Sequence, residues 1–179
     1  MNRPLLKIQF GSGGNPLEGW TNHDSEVDIR ARLPYDDNVV DCILAEHVVE
    51  HISSADALRF FDECRRILRP NGVLRVCVPS VEKVFFGQST GYFNLAHERG
   101  LGDASPIGAG RAVLLGYGHQ SAWTWELLQI VMSLAGFRRV YRCMPRVSDW
   151  AELRGVDSHH RAVGEELNDF ETAICEGIK

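Results

Sequence analysis

A short segment rich in histidine and acid is the first place where this sequence could do chemistry. The letters EHVVEH place Glu46, His47, Glu50 and His51 within residues 46–51, directly after an apolar run. Imidazole and carboxylate side chains can accept a proton near neutral pH, so His47, Glu50 and His51 are candidate general bases. The same three, joined by His119, could instead bind a divalent cation. A purely structural role, in which Glu50 and His51 cap and orient the next helix, stays open.

A second chemical feature is the glycine-rich turn FGSGGN (10–15), which is followed by Asp24. No Lys-Ser/Thr pair follows the glycines, as a phosphate-binding loop would require. The spacing of thirteen residues from Gly11 to Asp24 also disagrees with the dinucleotide fingerprint, whose acid lies about 20 residues on. S-adenosylmethionine carries no phosphate; it needs close backbone approach and a carboxylate for its ribose. Asp24 can supply that carboxylate, and Asp28 can face the adenine.

Composition limits the classes of partner. The chain has 179 residues, 44% apolar and 24% charged, with a formal net charge of −5, which is typical of one soluble globular domain. Nucleic acids and anionic membranes reward a basic surface, so neither is expected as a partner. Five scattered cysteines without a C-x-x-C pair suit a reducing compartment. Without a secretory signal or an apolar run of membrane-spanning length, the prediction is a cytoplasmic protein with no membrane insertion.

The elements that must position these residues alternate between strands and helices. Strands are predicted at residues 5–10, 20–23, 27–29, 39–45, 73–79, 138–144 and 170–178. One helix should start at Ser53 or Ser54 and stop at the RPNG turn (69–72), because serine caps helices and Pro70 and Gly72 end them. Another should start at Thr124 and end before Gly136. This order predicts an open α/β sheet with helices on it.

Residues 81–118 lack a clear pattern. Eight glycines lie between Gly87 and Gly118, together with Pro106. Such a segment is usually a functional lid or disordered. We therefore expect one domain over residues 1–179, with 81–118 as a glycine-rich segment on the substrate side. His159 and His160, in a polar stretch further on, are expected to be solvated.

Four longer motifs then resemble, in order, those of class I S-adenosylmethionine-dependent methyltransferases: IQFGSGGNPLEGW, NHDSEVDIRARLPYDDNVVDCILAEHVVEHI, ALRFFDECRRILRPNGVLRVCVPS and GHQSAWTWELLQIVMSLAGF. The similarity is greatest to a small subgroup with a shortened first helix (methyltransferase type 11-like). It is close over about residues 5–80 and moderate over 119–137. It implies a Rossmann-like three-layer α-β-α fold, with a mostly parallel seven-stranded sheet and an antiparallel last strand. It also implies S-adenosylmethionine as cofactor and S-adenosylhomocysteine as product.

The resemblance also assigns cofactor contacts: a backbone turn, a ribose acid, an adenine-side pair, and two residues at the methionine and sulfonium end. In that order the matching residues are Gly11, Ser12, Gly13 and Gly14; Asp24; Asp28 and Ile29; and Glu46 and His47. The subgroup's usual acid two places before the first glycine is Gln9 here. This departure would weaken or rearrange contacts around the methionine amino group.

The predicted activity is methyl transfer to a hydroxyl of a small-molecule or sugar-like (glycan) acceptor, in enzyme class EC 2.1.1.-. His51, His119, His47 and Glu50 are the candidate catalytic residues. The segment is similar to the E-x-x-E-H loop of metal-assisted O-methyltransferases, but His47 stands where their first Glu does, and no metal is expected to be required. The alternative is a catalytically silent cofactor-binding domain that acts as a sensor or partner subunit.

Overall fold

The first two strands flank the glycine turn. The computed structural model describes residues 3–87, 89–100 and 103–179. Strand β1 is Lys7–Phe10 and β2 is Thr21–His23, and residues 11–20 between them form turns without a helix. The strand predicted at 27–29 is wrong. Val27 N and Ala31 N donate to the carbonyls of Asp24 and Asp28, at 3.3 and 3.0 Å, so local turn hydrogen bonds replace a strand ladder there.

The central β-α-β unit follows the predicted pattern closely. Strand β3 is Val40–Glu46, a short 3-10 helix spans Val49–His51, helix α1 is Ser54–Ile67, and strand β4 is Leu68–Pro79. Ser53 is the N-cap of α1, because its Oγ accepts a hydrogen bond of 3.1 Å from Asp56 N. The predicted turn at 69–72 is a bulge inside β4, since the pairing with β3 jumps from Leu68 to Val73.

The glycine-rich segment forms three helices in its described part, which the sequence pattern does not predict. They are α2 at Val81–Phe86, α3 at Thr90–Glu98 and α4 at Pro106–Leu115, and each begins after a capping serine. They bury a separate apolar cluster made of Val84, Tyr92, Phe93, Ala96, Ala109, Ala112 and Val113. Gly110 is a packing site, because a Cβ there would lie 2.3 Å from Cζ of Phe85.

The remaining elements complete the sheet. Helix α5 is Trp125–Leu134 with Thr124 as its N-cap, as predicted. Strand β5 is Arg139–Cys143, helices α6 and α7 are His160–Val163 and Glu165–Glu171, and strand β6 is Thr172–Ile178. The sheet order is β2-β1-β3-β4-β6-β5. Strands β1 to β4 are parallel, and β6 is antiparallel to both of its neighbours. The Rossmann-like fold with an antiparallel last strand is confirmed, with six strands in the described chain instead of seven.

The two faces of the sheet are covered differently. One face packs on α1 and α5 and forms the main core, with Phe10, Phe60 and Leu128 fully buried. The other face is covered by Trp20 and by the segment from Trp150 to Val156, which contains only a 3-10 helix. The absence of a helix between β1 and β2 explains why loop segments cover this face.

A buried ion network lies on the loop-covered face. The Arg75 guanidinium is fully buried. It donates to both Asp157 oxygens at 2.7 and 2.6 Å and to Glu176 Oε1 at 2.6 Å. Asp157 also accepts from Arg146 N at 2.6 Å. Because Asp157 directly precedes Ser158 and His159, this network fixes the segment that brings His159 to the sheet. None of the helices in the described residues is long and apolar enough to cross a membrane.

Candidate active site

The glycine turn is held tightly against the ends of β1 and β2. Gly11 has φ of +72°, in the region that favours glycine. A Cβ at Gly11 would lie 2.8 Å from Cβ of Val48, so only glycine lets the two backbones approach this closely. Ser12 N donates to the carbonyl of His23 at 2.9 Å. The turn is thereby fastened to the end of β2, where Asp24 begins the next segment.

Gln9 holds the inner side of the same turn. Its side chain is buried; Nε2 donates to the carbonyl of Asn15 at 3.3 Å, and Oε1 accepts from Leu17 N at 3.1 Å. An amide can both donate and accept, whereas an ionised carboxylate can only accept. The glutamine in place of the subgroup's usual acid therefore has a structural role in the described residues, which is to brace the turn from within.

A cavity of about 260 Å³ opens beside the turn. Gly11, Asp24, Asp28 and Ile29, all predicted to bind the cofactor, line it, together with Ser25, Val27, Arg30, Val48, His51 and Ile52. The Arg30 guanidinium bonds to Asp28 and lowers the pKa of that carboxyl. The cavity thus combines bare backbone, apolar side chains and two exposed carboxylates that can accept hydrogen bonds, a combination that fits the adenosine part of S-adenosylmethionine.

The other predicted cofactor residues lie outside this cavity lining. Gly13 and Gly14 have open space where a Cβ would stand, and Ser12 is buried. The Glu46 carboxylate accepts four hydrogen bonds of 2.8–3.0 Å from Ser158 N, Ser158 Oγ and His159 N. Glu46 therefore positions the turn that carries His159. Its direct contact with the cofactor stays a prediction.

A second cavity, of about 340 Å³, gathers the predicted catalytic residues. His47, Glu50, His51 and His119 all line it. His51 lines the first cavity as well, so the two cavities meet at this side chain. Further lining residues come from α3, α4 and the β6 side: Tyr92, Leu95, Ala96, Arg99, Ala112, Val113, Tyr117, His159 and Glu171, among others.

One side of this cavity is a linked group of ionisable side chains. The His47 and His159 rings stack with centroids 3.7 Å apart, and His159 Nε2 lies 2.8 Å from Glu171 Oε1. Burial alone would lower the pKa of His47, but the carboxylates of Glu50, Glu171 and Glu46 outweigh it and raise that pKa. Burial would likewise raise the pKa of Glu171, but the His159 and His47 charges and hydrogen bonds lower it.

His159 was expected to be solvated, and that expectation is wrong. Glu46 bonds to its backbone, Glu171 bonds to its ring, and His47 stacks on it. These partners lie far away in sequence or on other elements, so a single local pattern could not identify them. The pair of adjacent histidines, His159 and His160, was the only local signal.

His51 and His119 form another part of the cavity wall. Their rings meet edge to face, with centroids 4.9 Å apart. His119 Nδ1 lies 2.6 Å from the carbonyl of Val113 and therefore donates a hydrogen bond to it. In the neutral ring this leaves a free electron pair on Nε2. The segment after His119 is tied down by Gln120 N and Ser121 N, which donate to the carbonyl of Glu50 at 2.8 and 3.1 Å.

Comparison with known proteins places the fold. A family model described as a methyltransferase domain matches residues 20–76. A S-adenosylmethionine-dependent methyltransferase of Archaeoglobus fulgidus is 15% identical, with a TM-score of 0.60 over 98% of this chain and 86% of that one. The class I methyltransferase fold is confirmed. A second such methyltransferase, from Thermotoga maritima, is 18% identical, with a TM-score of 0.55 over 97% of this chain and 82% of that one.

A third solved structure, of a methyltransferase similar in size to this chain, has the same fold. The S-adenosylmethionine-dependent methyltransferase of Mesorhizobium loti is 13% identical, with a TM-score of 0.54 over 98% of this chain and 91% of that one. None of the curated proteins is similar enough in sequence to match. The family model and the methyltransferase fold together support S-adenosylmethionine as the cofactor, with S-adenosylhomocysteine as the product left after methyl transfer.

Proposed function

We propose that this protein transfers a methyl group from S-adenosylmethionine to a hydroxyl of a small or sugar-like acceptor. The observation that supports the proposal best is the pair of cavities joined at His51, of about 260 and 340 Å³. The first, the proposed cofactor cavity, carries the glycine turn and the two aspartates predicted to bind the cofactor. The second, the proposed acceptor cavity, carries the histidines and Glu50. These side chains can bind a hydroxyl acceptor and remove its proton.

The roles of the residues follow from where they lie. Asp24 binds the ribose hydroxyls, Asp28 and Ile29 face the adenine, and Gly11 lets the backbone approach. When bound, S-adenosylmethionine supplies an electrophilic methyl group. Holding the acceptor oxygen in line with that methyl group supplies most of the rate acceleration, of order 7–11 kcal/mol at best. The polar wall of the second cavity orients the hydroxyl and receives its proton.

The silent-domain alternative makes a different structural demand. If residues 81–118 filled the acceptor side, binding without catalysis would be favoured. In the described residues, α3 and α4 instead line a cavity of about 340 Å³ with Tyr92, Ala96 and Ala112 among its walls. A lined and open acceptor cavity supports the enzyme proposal.

The first test is isothermal titration with S-adenosylhomocysteine, run beside NAD. Wild-type protein should bind S-adenosylhomocysteine and not NAD, and Asp24→Ala should abolish or strongly weaken that binding. Asp62→Ala is the control, because Asp62 is an exposed acid on α1, away from both cavities. Failure of the wild type to bind would overturn the cofactor assignment.

The second test identifies the acceptor atom. The protein is incubated with labelled S-adenosylmethionine and matched panels of hydroxyl, amine and thiol acceptors, and label transfer is measured by mass spectrometry. Transfer to hydroxyls, reduced in His51→Ala and His119→Ala, is the expected result. Transfer only to amines or thiols would refute the O-methylation proposal while leaving the cofactor assignment intact.

A further inference from the structure

Glu50 is a buried acid without a hydrogen-bond donor. Its exposure is 1%, and neither carboxylate oxygen accepts a hydrogen bond from any described residue. His47 Nδ1 lies 3.2 Å from Oε1, but the pair lacks hydrogen-bond geometry. Burying a carboxylate is costly unless it is paired, hydrogen-bonded or bound to a metal. The side chain lines the acceptor cavity, so a partner could reach it from there.

Two imidazoles lie where such a partner would need them. One ligand atom each of Glu50, His51 and His119 lies within 4.8 Å of the others, close enough for all three to bind one cation. The ring of His119 is already oriented, because its Nδ1 donates to the carbonyl of Val113. Metal-binding histidines almost always use the second ring nitrogen in this way.

The backbone fixes the same three residues together. Glu50 and His51 belong to one 3-10 helix, and the carbonyl of Glu50 accepts hydrogen bonds from Gln120 N and Ser121 N. The loop that carries His119 is thereby attached to the residue whose carboxylate lacks a donor. The cluster is preorganised rather than assembled from three independent loops.

A second cluster in the described residues could also hold a metal, and its hydrogen bonds distinguish it. His47, His159 and Glu171 lie within the same 4.8 Å limit. There, however, His159 Nε2 already bonds to Glu171 at 2.8 Å, and His47 Nε2 lies 3.4 Å from Thr172 Oγ1. In that second cluster the carboxylate already accepts a hydrogen bond, whereas Glu50 has only the 3.2 Å charge contact with His47 and accepts none.

We propose that Glu50, His51 and His119 bind one divalent transition-metal cation. Two imidazoles and one carboxylate suit Zn²⁺, Co²⁺, Mn²⁺ or Fe²⁺ better than Mg²⁺ or Ca²⁺, which prefer oxygen ligands. Three protein ligands leave further coordination positions, and the cluster faces the acceptor cavity. An oxygen of the acceptor can take one of these positions, and the cation then lowers the pKa of that hydroxyl. Only this last role depends on the proposed methyltransferase function.

The test measures the metal itself. Chelator-treated full-length protein is titrated with Co²⁺, followed by its visible absorption, and with Zn²⁺, followed by calorimetry. Wild-type protein should bind one equivalent of each. Glu50→Gln and His119→Ala should each weaken binding by at least about tenfold, the lower end of what even outer-shell changes cost metal sites. His159→Ala is the matched control, because it removes a cavity histidine from the other cluster and should keep the Co²⁺ spectrum.

Melting temperatures show whether the variants are folded. Without metal, Glu50→Gln loses both a buried carboxylate and the charge contact with His47, so the melting temperature of each metal-free protein is the reference for its own metal-induced shift. Added Zn²⁺ should raise the melting temperature of wild type and not that of Glu50→Gln. No metal binding by wild type, or binding lost in His159→Ala and kept in Glu50→Gln, would overturn the site.

The metal site and the methyltransferase function can be refuted independently of each other. Binding of S-adenosylhomocysteine should be retained by Glu50→Gln, because Glu50 does not line the cofactor cavity. Protein that binds S-adenosylhomocysteine but no Co²⁺ would refute the metal site alone. Protein that binds Co²⁺ but no S-adenosylhomocysteine would refute the methyltransferase proposal and leave the metal site standing.

Discussion

The close contact between the glycine turn and Val48 predicts that alanine is more destabilising at one glycine of the turn than at another. Gly11 and Gly13 both have positive φ, +72° and +47°. A Cβ at Gly11 would lie 2.8 Å from Val48, whereas nothing lies within 4 Å of a Cβ at Gly13. Substitution of each by alanine therefore imposes a similar backbone penalty, but only Gly11→Ala adds an overlap.

The expected losses follow from these two contributions. A left-handed backbone costs alanine about 1–2 kcal/mol, and the reduced freedom of the unfolded chain offsets about 0.4–1 kcal/mol of that. Gly13→Ala should thus lower the free energy of unfolding by about 1 kcal/mol. Overlap in a packed region adds about 1–3 kcal/mol, so Gly11→Ala should lose about 2–4 kcal/mol in total. At about 2–4 °C per kcal/mol, its melting temperature should fall by roughly 10 °C.

Urea denaturation of both variants beside wild type is the assay, with S-adenosylhomocysteine titration as the functional readout. Because Gly11 and Val48 both line the proposed cofactor cavity, the displacement that relieves the overlap should also weaken S-adenosylhomocysteine binding, by about tenfold for each 1.4 kcal/mol of binding free energy lost. Equal losses of stability in Gly11→Ala and Gly13→Ala would show that the contact with Val48 does not require glycine.

Three further predictions test the surroundings of the site. Asp157→Asn should lower the free energy of unfolding by about 3–5 kcal/mol, because it breaks the buried ion pair with Arg75. Asp28→Asn is the control, since its exposed ion pair should contribute little to the free energy of unfolding. Similar urea midpoints for the two variants would contradict the prediction. Glu171 has a folded pKa below its unfolded one, so its stabilisation is present above about pH 4.3 and is lost as the pH falls through the folded pKa. Melting temperatures measured from about pH 6 down to about pH 3 should therefore fall less for Glu171→Gln than for wild type, and parallel curves would refute this. Gln9→Glu should cost about 1–3 kcal/mol at neutral pH, since the buried acid loses the amide's donor, and a denaturation midpoint equal to that of wild type would show that the turn does not need it.

Features set by local chemistry could be predicted from the sequence. Ser53 and Thr124 cap their helices as expected, because a capping hydroxyl bonds to a backbone N–H only three residues away. Gly11 and Asp24 line one cavity, because the carboxyl ends of parallel strands lie at one edge of the sheet; their binding of the cofactor stays a prediction. His47, Glu50 and His51 share one cavity because they all follow β3, and the loop between α4 and α5 adds His119 to it.

Features set by distant partners could not be predicted. The glycines of residues 81–118 indicate a lid or disorder, yet in the described part of that segment Gly110 serves close packing against Phe85. His159 reaches the cavity because Glu46, 113 positions earlier, bonds to its backbone. The buried position of Glu50, which motivates the metal site, depends on a loop that arrives about 70 residues later. No window of the sequence contains both partners of these contacts.

The position of β6 between β4 and β5 sets an order of events during synthesis. Strands β1 to β4 can pair as soon as they emerge from the ribosome, since each neighbour is already made, so the edge that carries the glycine turn can form early. β5 has no strand to pair with until β6 follows it some thirty residues later. Glu171, which immediately precedes β6, reaches its place beside His159 at the same moment. In a nascent chain, the proposed cofactor cavity could therefore form well before the proposed acceptor cavity is complete.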